Sequence, residues 1–284
     1  MKELINKLVE TYGPSGCEEQ IREVIKGEIE GLADEVRVDT MGNLIALKRG
    51  SPPLVPPKLG GEGRVKVMLA AHMDEIGVIV THVDDKGFLR FAPVGGVRPL
   101  GLLGGRVVFA DGTVGIIGME KPEPEDEKKI PDLDKLYLDV GAKDKESVPV
   151  SVGDIACFQR PFADQGDRLM AKALDDRIGC AVLIQVMRDL EDSPHDVYFV
   201  FSVQEEVGLR GAVTSAYGIH PDLGISVDVT GTGDTPEAHT MAVSLGEGPA
   251  VKVKDGGMLA HPAVKDLLVE TAEELGIPYQ LEVL

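Results

Sequence analysis

The 284-residue chain has no tryptophan, only 4% aromatic residues and three cysteines. With so few rings, a core has to be built from Val, Leu, Ile and Ala, the composition of an α/β protein. The cysteines, Cys17, Cys157 and Cys180, are odd in number and widely spaced, which excludes a disulfide framework or a paired-cysteine metal site. They read as small buried hydrophobes in a reducing compartment. Positive charge is also scarce: 29 Lys and Arg stand against 48 Asp and Glu, a formal net charge of −19. Phosphate-backbone binding draws its affinity from cationic side chains, so nucleic acid and anionic membrane are poor partners for this chain. No apolar run approaches the roughly 18 residues of a membrane span, and charges interrupt the apolar pattern of the first ten residues. The expectation is a soluble, cytoplasmic protein with no nucleic-acid and no membrane partner.

The length suits two domains. Leu4, Ile5, Leu8 and Val9 fall on one helical face, and Gly13-Pro14-Ser15-Gly16 ends that helix. A second helix is predicted from about 15 to 32, with Ile21, Val24, Ile25 and Ile29 inward, followed by strands over 36–38 and 44–48. Residues 51–63, with four prolines and three glycines, read as an exposed loop. The nearly continuous apolar run from 65 to 71 is that of a strand buried on both faces, and it ends on His72-Met73-Asp74-Glu75. From 77 to 158 short β-like runs recur between Gly, Pro and Asp, at 77–82, 87–93, 106–109, 113–119, 136–140 and 155–157. Such spacing suggests a small β-barrel or sandwich, with 120–135 as a mobile charged loop within it. After 162 the βα alternation returns: a helix over 176–190, strands over 196–203 and 223–229, a helix over 261–275 and a strand over 279–284.

Acid and imidazole clusters fall at element ends: His72-Met73-Asp74, Asp175-Asp176, Glu205-Glu206 and Asp228. Binding sites in open α/β sheets gather at the carboxyl ends of strands, so all four can face one crevice. Hydrolysis at paired divalent ions needs a few carboxylates and imidazoles, and this set supplies both. His72 and Asp74 share a side of an extended segment, which lets Asp74 bond the ring nitrogen that His72 does not give to metal. Adjacent Glu205 and Glu206 repel unless a cation neutralises one; with Glu206 on metal, Glu205 stays available as a base. Gly208 and Gly211 permit close backbone approach. Each residue also has a plain structural reading. His72 serves as a polar strand end, Asp175-Asp176 as a helix N-cap, Glu205-Glu206 as a solvated loop and Asp228 as a turn cap with Thr230. His239 and His261 read as structural, the latter with Pro262 at a helix start. His82, His195 and His220 read as surface or turn residues.

The motifs Ala-Ala-His72-Met-Asp74-Glu-Ile-Gly, Lys-Ala-Leu-Asp175-Asp-Arg-Ile-Gly, Val-Gln-Glu205-Glu206-Val-Gly-Leu-Arg-Gly-Ala and Ser-Val-Asp228-Val-Thr resemble those of the tetrahedral aminopeptidases. That family includes glutamyl, leucyl and lysyl aminopeptidases, and some members carry the label endoglucanase. The likeness spans essentially the whole chain, from Tyr-Gly-Pro-Ser-Gly to Ile-Pro-Tyr-Gln-Leu-Glu. It implies a mixed-sheet α/β catalytic domain of the zinc-peptidase kind, residues 1–75 and 163–284, interrupted by a barrel-like dimerisation domain over 76–162. It further implies two divalent metal ions per subunit, zinc or cobalt. His72, Asp175 and Asp228 would hold one, and Asp175 would bridge to a second held also by Glu206. Glu205 would be the general base and Asp74 the residue orienting His72. The implied reaction removes N-terminal residues from short peptides through a metal-activated water, in a dimer or a hollow tetrahedral dodecamer.

The resembled family continues past a segment like 279–284 with a Gly-Gly-Thr-Asp-Ala-Gly stretch and a final His ligand. The expectation is therefore a fragment or a shortened relative, and the alternative function is a catalytically impaired assembly subunit. A glycosidase is a further alternative, but no carboxylate is identified to stand across a scissile bond from Glu205.

Overall fold

The computed structural model of the chain describes residues 1–51, 64–123, 129–238 and 240–284. Most of the loop expected over 51–63, the centre of the loop expected over 120–135, and His239 lie outside the described residues. The chain divides into two units, Met1–Asp228 and Val229–Leu284.

In the first unit, α1 (Lys2–Glu10) buries Leu4, Ile5, Leu8 and Val9, the face its periodicity predicts. The second helix, α2 (Glu19–Glu28), begins later than the pattern suggests. The physical reason is that the preceding residues are tied up in a bridge and a turn: Pro14 forms a parallel bridge with Glu75, Ser15 N–H donates to the Glu75 carbonyl and Glu75 N–H to that of Gly13, and Ser15-Gly16 then turn, with Cys17 N–H donating to the Pro14 carbonyl. The strands β1 (Glu35–Val38), β2 (Leu44–Lys48) and β3 (Lys66–His72) follow. Six strands then close a barrel: β4 (Gly77–Val83), β5 (Phe88–Val94), β6 (Arg106–Phe109), β7 (Val114–Met119), β8 (Leu136–Asp139) and β9 (Ile155–Phe158), in the order β4-β5-β8-β7-β6-β9. Its interior is an apolar cluster of its own, with Val78, Val80, Leu89, Val107, Ile117, Leu138 and Ala156 at its centre.

A short hairpin, β10 (Ala163–Asp164) and β11 (Leu169–Met170), leads back to α3 (Leu174–Asp189), β12 (Asp196–Ser202), α4 (Arg210–Ile219) and β13 (Leu223–Ser226). The main sheet has the order β1-β2-β12-β3-β13. β12 and β13 both run parallel to β3, whereas β1 with β2 and β2 with β12 are antiparallel, so the sheet is mixed as expected. α1, α2 and α3 share the large core with β2, β3 and β12. A smaller cluster of Ile45, Met68, Ala70, Val200 and Ile219 lies where α4 meets β12 and β3. α4 is absent from the sequence reading: Gly211, Val213, Thr214 and Gly218 give it low intrinsic propensity, and packing decides the outcome.

The second unit holds β14 (Ala250–Lys254), α5 (Pro262–Leu275) and β15 (Gln280–Val283). β14 and β15 pair in parallel, and α5 packs on β14. α5 opens with Pro262 after His261 and closes at Gly276 in the left-handed conformation, φ 65°, the usual punctuation of a helix. β14 also escaped the sequence pattern. Cys157 and Cys180 are buried as expected, whereas Cys17 is only partly so. No helix among the described residues is long and apolar enough to cross a membrane.

Candidate metal centre

The carboxyl ends of the parallel strands bring the predicted residues together. Ser202, the last residue of β12, lies opposite His72, the last of β3, so the loop carrying Glu205 and Glu206 starts beside His72. Asp228 follows β13, which ends at Ser226 rather than at 229 as predicted. Asp175 and Asp176 lie at the start of α3 but keep non-helical backbone angles. One nitrogen of His72 and one oxygen each of Asp175 and Glu206 lie within 4.8 Å of one another, as do atoms of His72, Asp176 and Asp228. Both groups draw on the same imidazole.

Asp176 is the residue the sequence reading left out of the ligand set. It is fully buried, and its two oxygens accept from Gly179 N–H at 3.0 Å and His72 N–H at 3.2 Å. The N-cap reading thus holds for Asp176, while Asp175 keeps 57% of its side-chain surface and meets His72 Nε2 at 2.9 Å. The other ring nitrogen, Nδ1, is 3.4 Å from Asp74 Oδ1 and 3.2 Å from the Asp74 carbonyl oxygen. Asp74 is itself fully buried. Its carboxylate accepts from Ser15 Oγ at 2.6 Å, Glu205 N–H at 3.0 Å and Glu206 N–H at 3.2 Å. Glu205 Oε2 reaches within 3.7 Å of His72 Nε2 and belongs to neither ligand group.

Burial and the crowding of like charges dominate the electrostatics of the cluster. Burial drives Glu206 up to about 7, with the charge of Asp175 adding to it. Asp176 is raised to about 8, first by burial, with Asp228 working in the same direction. Glu205 is also raised, again chiefly by burial. Burial opposes charge on His72, yet the hydrogen bonds to Asp175 and Asp74 outweigh it and lift the imidazole to about 11. Asp74 is penalised by burial too, but the bonds from His72, Ser15 and Glu205 bring it below the usual range. Crowded carboxylates that resist ionisation around one imidazole are neutralised by a divalent ion, and the oxygen and nitrogen donors suit one.

Two glycines shape the walls. A Cβ on Gly211 would lie 2.3 Å from the Val203 carbonyl oxygen, so only glycine lets α4 start against the Glu205 loop. Gly95, φ +81°, brings the loop after β5 against Glu206: a Cβ there would lie 3.1 Å from Glu206 Cβ and 2.8 Å from Ile76 Cγ2. Nothing in its local sequence marks Gly95 as part of the site. His82 and His220 are exposed, and His261 precedes α5. His195 is partly buried, with its Nδ1 unpartnered.

Residues 54–284 match the M42 glutamyl aminopeptidase family. The chain belongs to that family. A relative from Acetivibrio thermocellus is 50% identical over all of this chain and 82% of its own length. An aminopeptidase from the archaeon Desulfurococcus kamchatkensis has a similar structure, with a TM-score of 0.89, 42% identity and coverage of 99% of this chain and 79% of that one. The Pyrococcus horikoshii TET1 peptidase, which can assemble into a tetrahedron or a large octahedral shell, matches with a TM-score of 0.84 at 34% identity, over 99% of this chain and 84% of that one. Membership makes this M42 chain a metal-dependent aminopeptidase, and the mixed sheet with a closed barrel is the family's fold.

Proposed function

We propose that the site is dinuclear and removes N-terminal residues from short peptides. The observation that carries this reading is the convergence of His72, Asp175, Asp176, Glu206 and Asp228 into two overlapping ligand groups, with Glu205 beside them and outside both. His72, Asp175 and Asp228 would hold one ion, and Asp175 with Glu206 a second, zinc or cobalt in either place. Asp175 is favoured over Asp176 as the bridging ligand because both oxygens of Asp176 already accept backbone N–H groups. Divalent ions held there would supply Lewis acidity toward a water and the first peptide carbonyl. Glu205, on a half-buried loop beside the ligand groups, would serve as the base toward that water and return the proton to the leaving amine. Asp74 fixes the His72 ring and bonds the backbone of both glutamates.

The catalytic part comprises residues 1–75 and 163–284 and the barrel part 76–162. Leu100, Leu103 and Ile116, 73%, 54% and 48% exposed, lie within the barrel segment and support its role in self-association. By analogy with the TET1 peptidase, a dimer formed there would build a tetrahedral dodecamer in the cytoplasm. The sharing of one imidazole by both groups favours a second reading, a catalytically impaired subunit whose second ion is weakly held.

Elemental analysis after dialysis, with release of nitroaniline from aminoacyl-nitroanilides, tests both. Two ions per chain and turnover abolished by a chelator support the dinuclear enzyme; one ion and no turnover support the impaired subunit. In the active case Glu205→Gln keeps its ions and loses about 10²–10⁴-fold in turnover. A variant of unchanged rate removes Glu205 as the base.

A further inference from the structure

The segment between α1 and α2, Gly13-Pro14-Ser15-Gly16-Cys17-Glu18, contributes to neither ligand group, yet it sits against both sides of the Glu205 loop's hydrogen bonding. Ser15 is 4% exposed and donates its hydroxyl to Asp74 Oδ2 at 2.6 Å. Glu18, also 4% exposed, accepts with one oxygen, Oε1, from Gly16 N–H at 2.8 Å and from Gln204 N–H at 3.1 Å. Gln204 adopts φ 53°, a left-handed conformation uncommon for a non-glycine residue. The next two N–H groups, of Glu205 and Glu206, donate to Asp74 at 3.0 and 3.2 Å. Three consecutive backbone donors therefore point at two buried carboxylates, Glu18 and Asp74. Successive N–H groups turned inward after a left-handed residue form an anion-holding concavity, and here the protein fills it from its own chain.

We propose that Ser15 and Glu18 are positioning residues that set the backbone of residues 204–206, and through it the place of Glu205 and Glu206; this rests on the reading of those two glutamates given above. Ser15 acts through Asp74, and Glu18 acts on Gln204 directly. Glu18 needs only an acceptor oxygen, since one oxygen makes both bonds, so an amide can replace the carboxylate. The segment is itself anchored by the paired backbones of Gly13, Ser15 and Glu75, which makes it a fixed arm rather than a loop that follows its partner.

Two readouts test this on the full chain. Amide hydrogen exchange of residues 203–207 in the metal-free protein should speed up about tenfold or more in Glu18→Leu and in Ser15→Ala, and stay near the wild-type rate in Glu18→Gln and Ser15→Thr. Where the wild type turns over aminoacyl-nitroanilides, the first two variants, assayed at saturating metal, should lose kcat by about tenfold to a hundredfold with KM within a factor of about two. The Gln and Thr variants should restore it. Equal exchange in all five proteins overturns the proposal, as does a Glu18→Gln variant as impaired as Glu18→Leu. Faster exchange in Glu18→Leu and Ser15→Ala, where the wild type itself shows no turnover, leaves the positioning role standing and refutes the catalytic reading instead. If Glu18→Leu unfolds, the comparison of Ser15→Ala with Ser15→Thr still decides the matter.

Discussion

Arg177 and Arg188 stand on the same helix, α3, and their truncation separates burial from charge. Arg177 is wholly buried and donates to the carbonyls of Leu8 at 2.6 Å, Thr11 at 3.2 Å and Gly13 at 3.3 Å, with Glu75 3.5 Å away. Arg188 is 37% exposed and pairs with Glu28 at 2.7 Å. Arg177→Met takes a charged donor from those carbonyls, and hydrogen bonds to charged groups contribute about 1.5–3 kcal/mol each. Breaking a buried pair costs about 3–5 kcal/mol. Lys172 remains 2.7 and 2.8 Å from Glu75, so the carboxylate keeps one cation, and the three carbonyls that lose a charged donor put the loss at about 3 kcal/mol or more. Arg188→Met, the same change of charge and shape, should cost no more than about 1 kcal/mol. Urea unfolding followed by far-ultraviolet circular dichroism, at constant m, should show the Arg177→Met midpoint lowered by about 1 M or more. Equal shifts in the two variants would refute the claim that the buried Arg177 hub ties α1 to α3.

Three further outcomes follow from the structure. The Glu28 carboxyl is held below its ordinary 4.5 chiefly by the hydrogen bond from Lys7, with Arg188 contributing. A depressed folded-state pKa stabilises above the unfolded value and is lost as pH falls through the folded one. Glu28→Gln should therefore melt lower than wild type at neutral pH, by no more than about 1 kcal/mol given partial exposure, and the gap should close under acid. Gly95→Ala forces a methyl into the Ile76 and Glu206 side chains and should weaken zinc binding in a calorimetric titration. Gly96→Ala, whose methyl meets open space, should not. A divalent ion at about 100 times its dissociation constant should stabilise the chain by about 2.7 kcal/mol, read as a higher melting temperature that a chelator reverses.

The sequence revealed whatever is periodic or punctuated. α1 follows from Leu4, Ile5, Leu8 and Val9, and the barrel strands follow from alternation between glycine turns, Arg106–Phe109 to the residue. α4 and β14 were invisible for different reasons. In α4, glycines and β-branched residues mask a helix that its packing on β12 and β3 stabilises. β14 reads Ala-Val-Lys-Val-Lys, short and half charged, and its strand state depends on β15, which lies distant in sequence. The late start of α2 has the same origin, because the bridge from Pro14 to Glu75 is a long-range pairing that no local pattern encodes.

At the site the candidate residues were legible as acids and an imidazole at strand ends, picked out by the resemblance of their motifs to the tetrahedral aminopeptidases, whereas the groups that place them were not. His72, Asp74, Asp175, Glu205, Glu206 and Asp228 stand out as acids and an imidazole where apolar strands stop. Ser15 and Glu18 do not, and Asp176 stands out only as the neighbour of Asp175: each acts through a backbone N–H or a buried carboxylate that only the folded chain brings near. Asp176 shows the distinction most sharply. It neighbours Asp175 in sequence and shares its chemistry, yet it is sealed in against Gly179 and the backbone of His72, while Asp175 faces outward beside the His72 ring. Two identical side chains one residue apart thus differ in what the fold leaves them to do, Asp176 holding the strand end and Asp175 standing exposed beside the imidazole. What separates them is which backbone and side-chain donors each one meets, a property of the fold and not of the residue type.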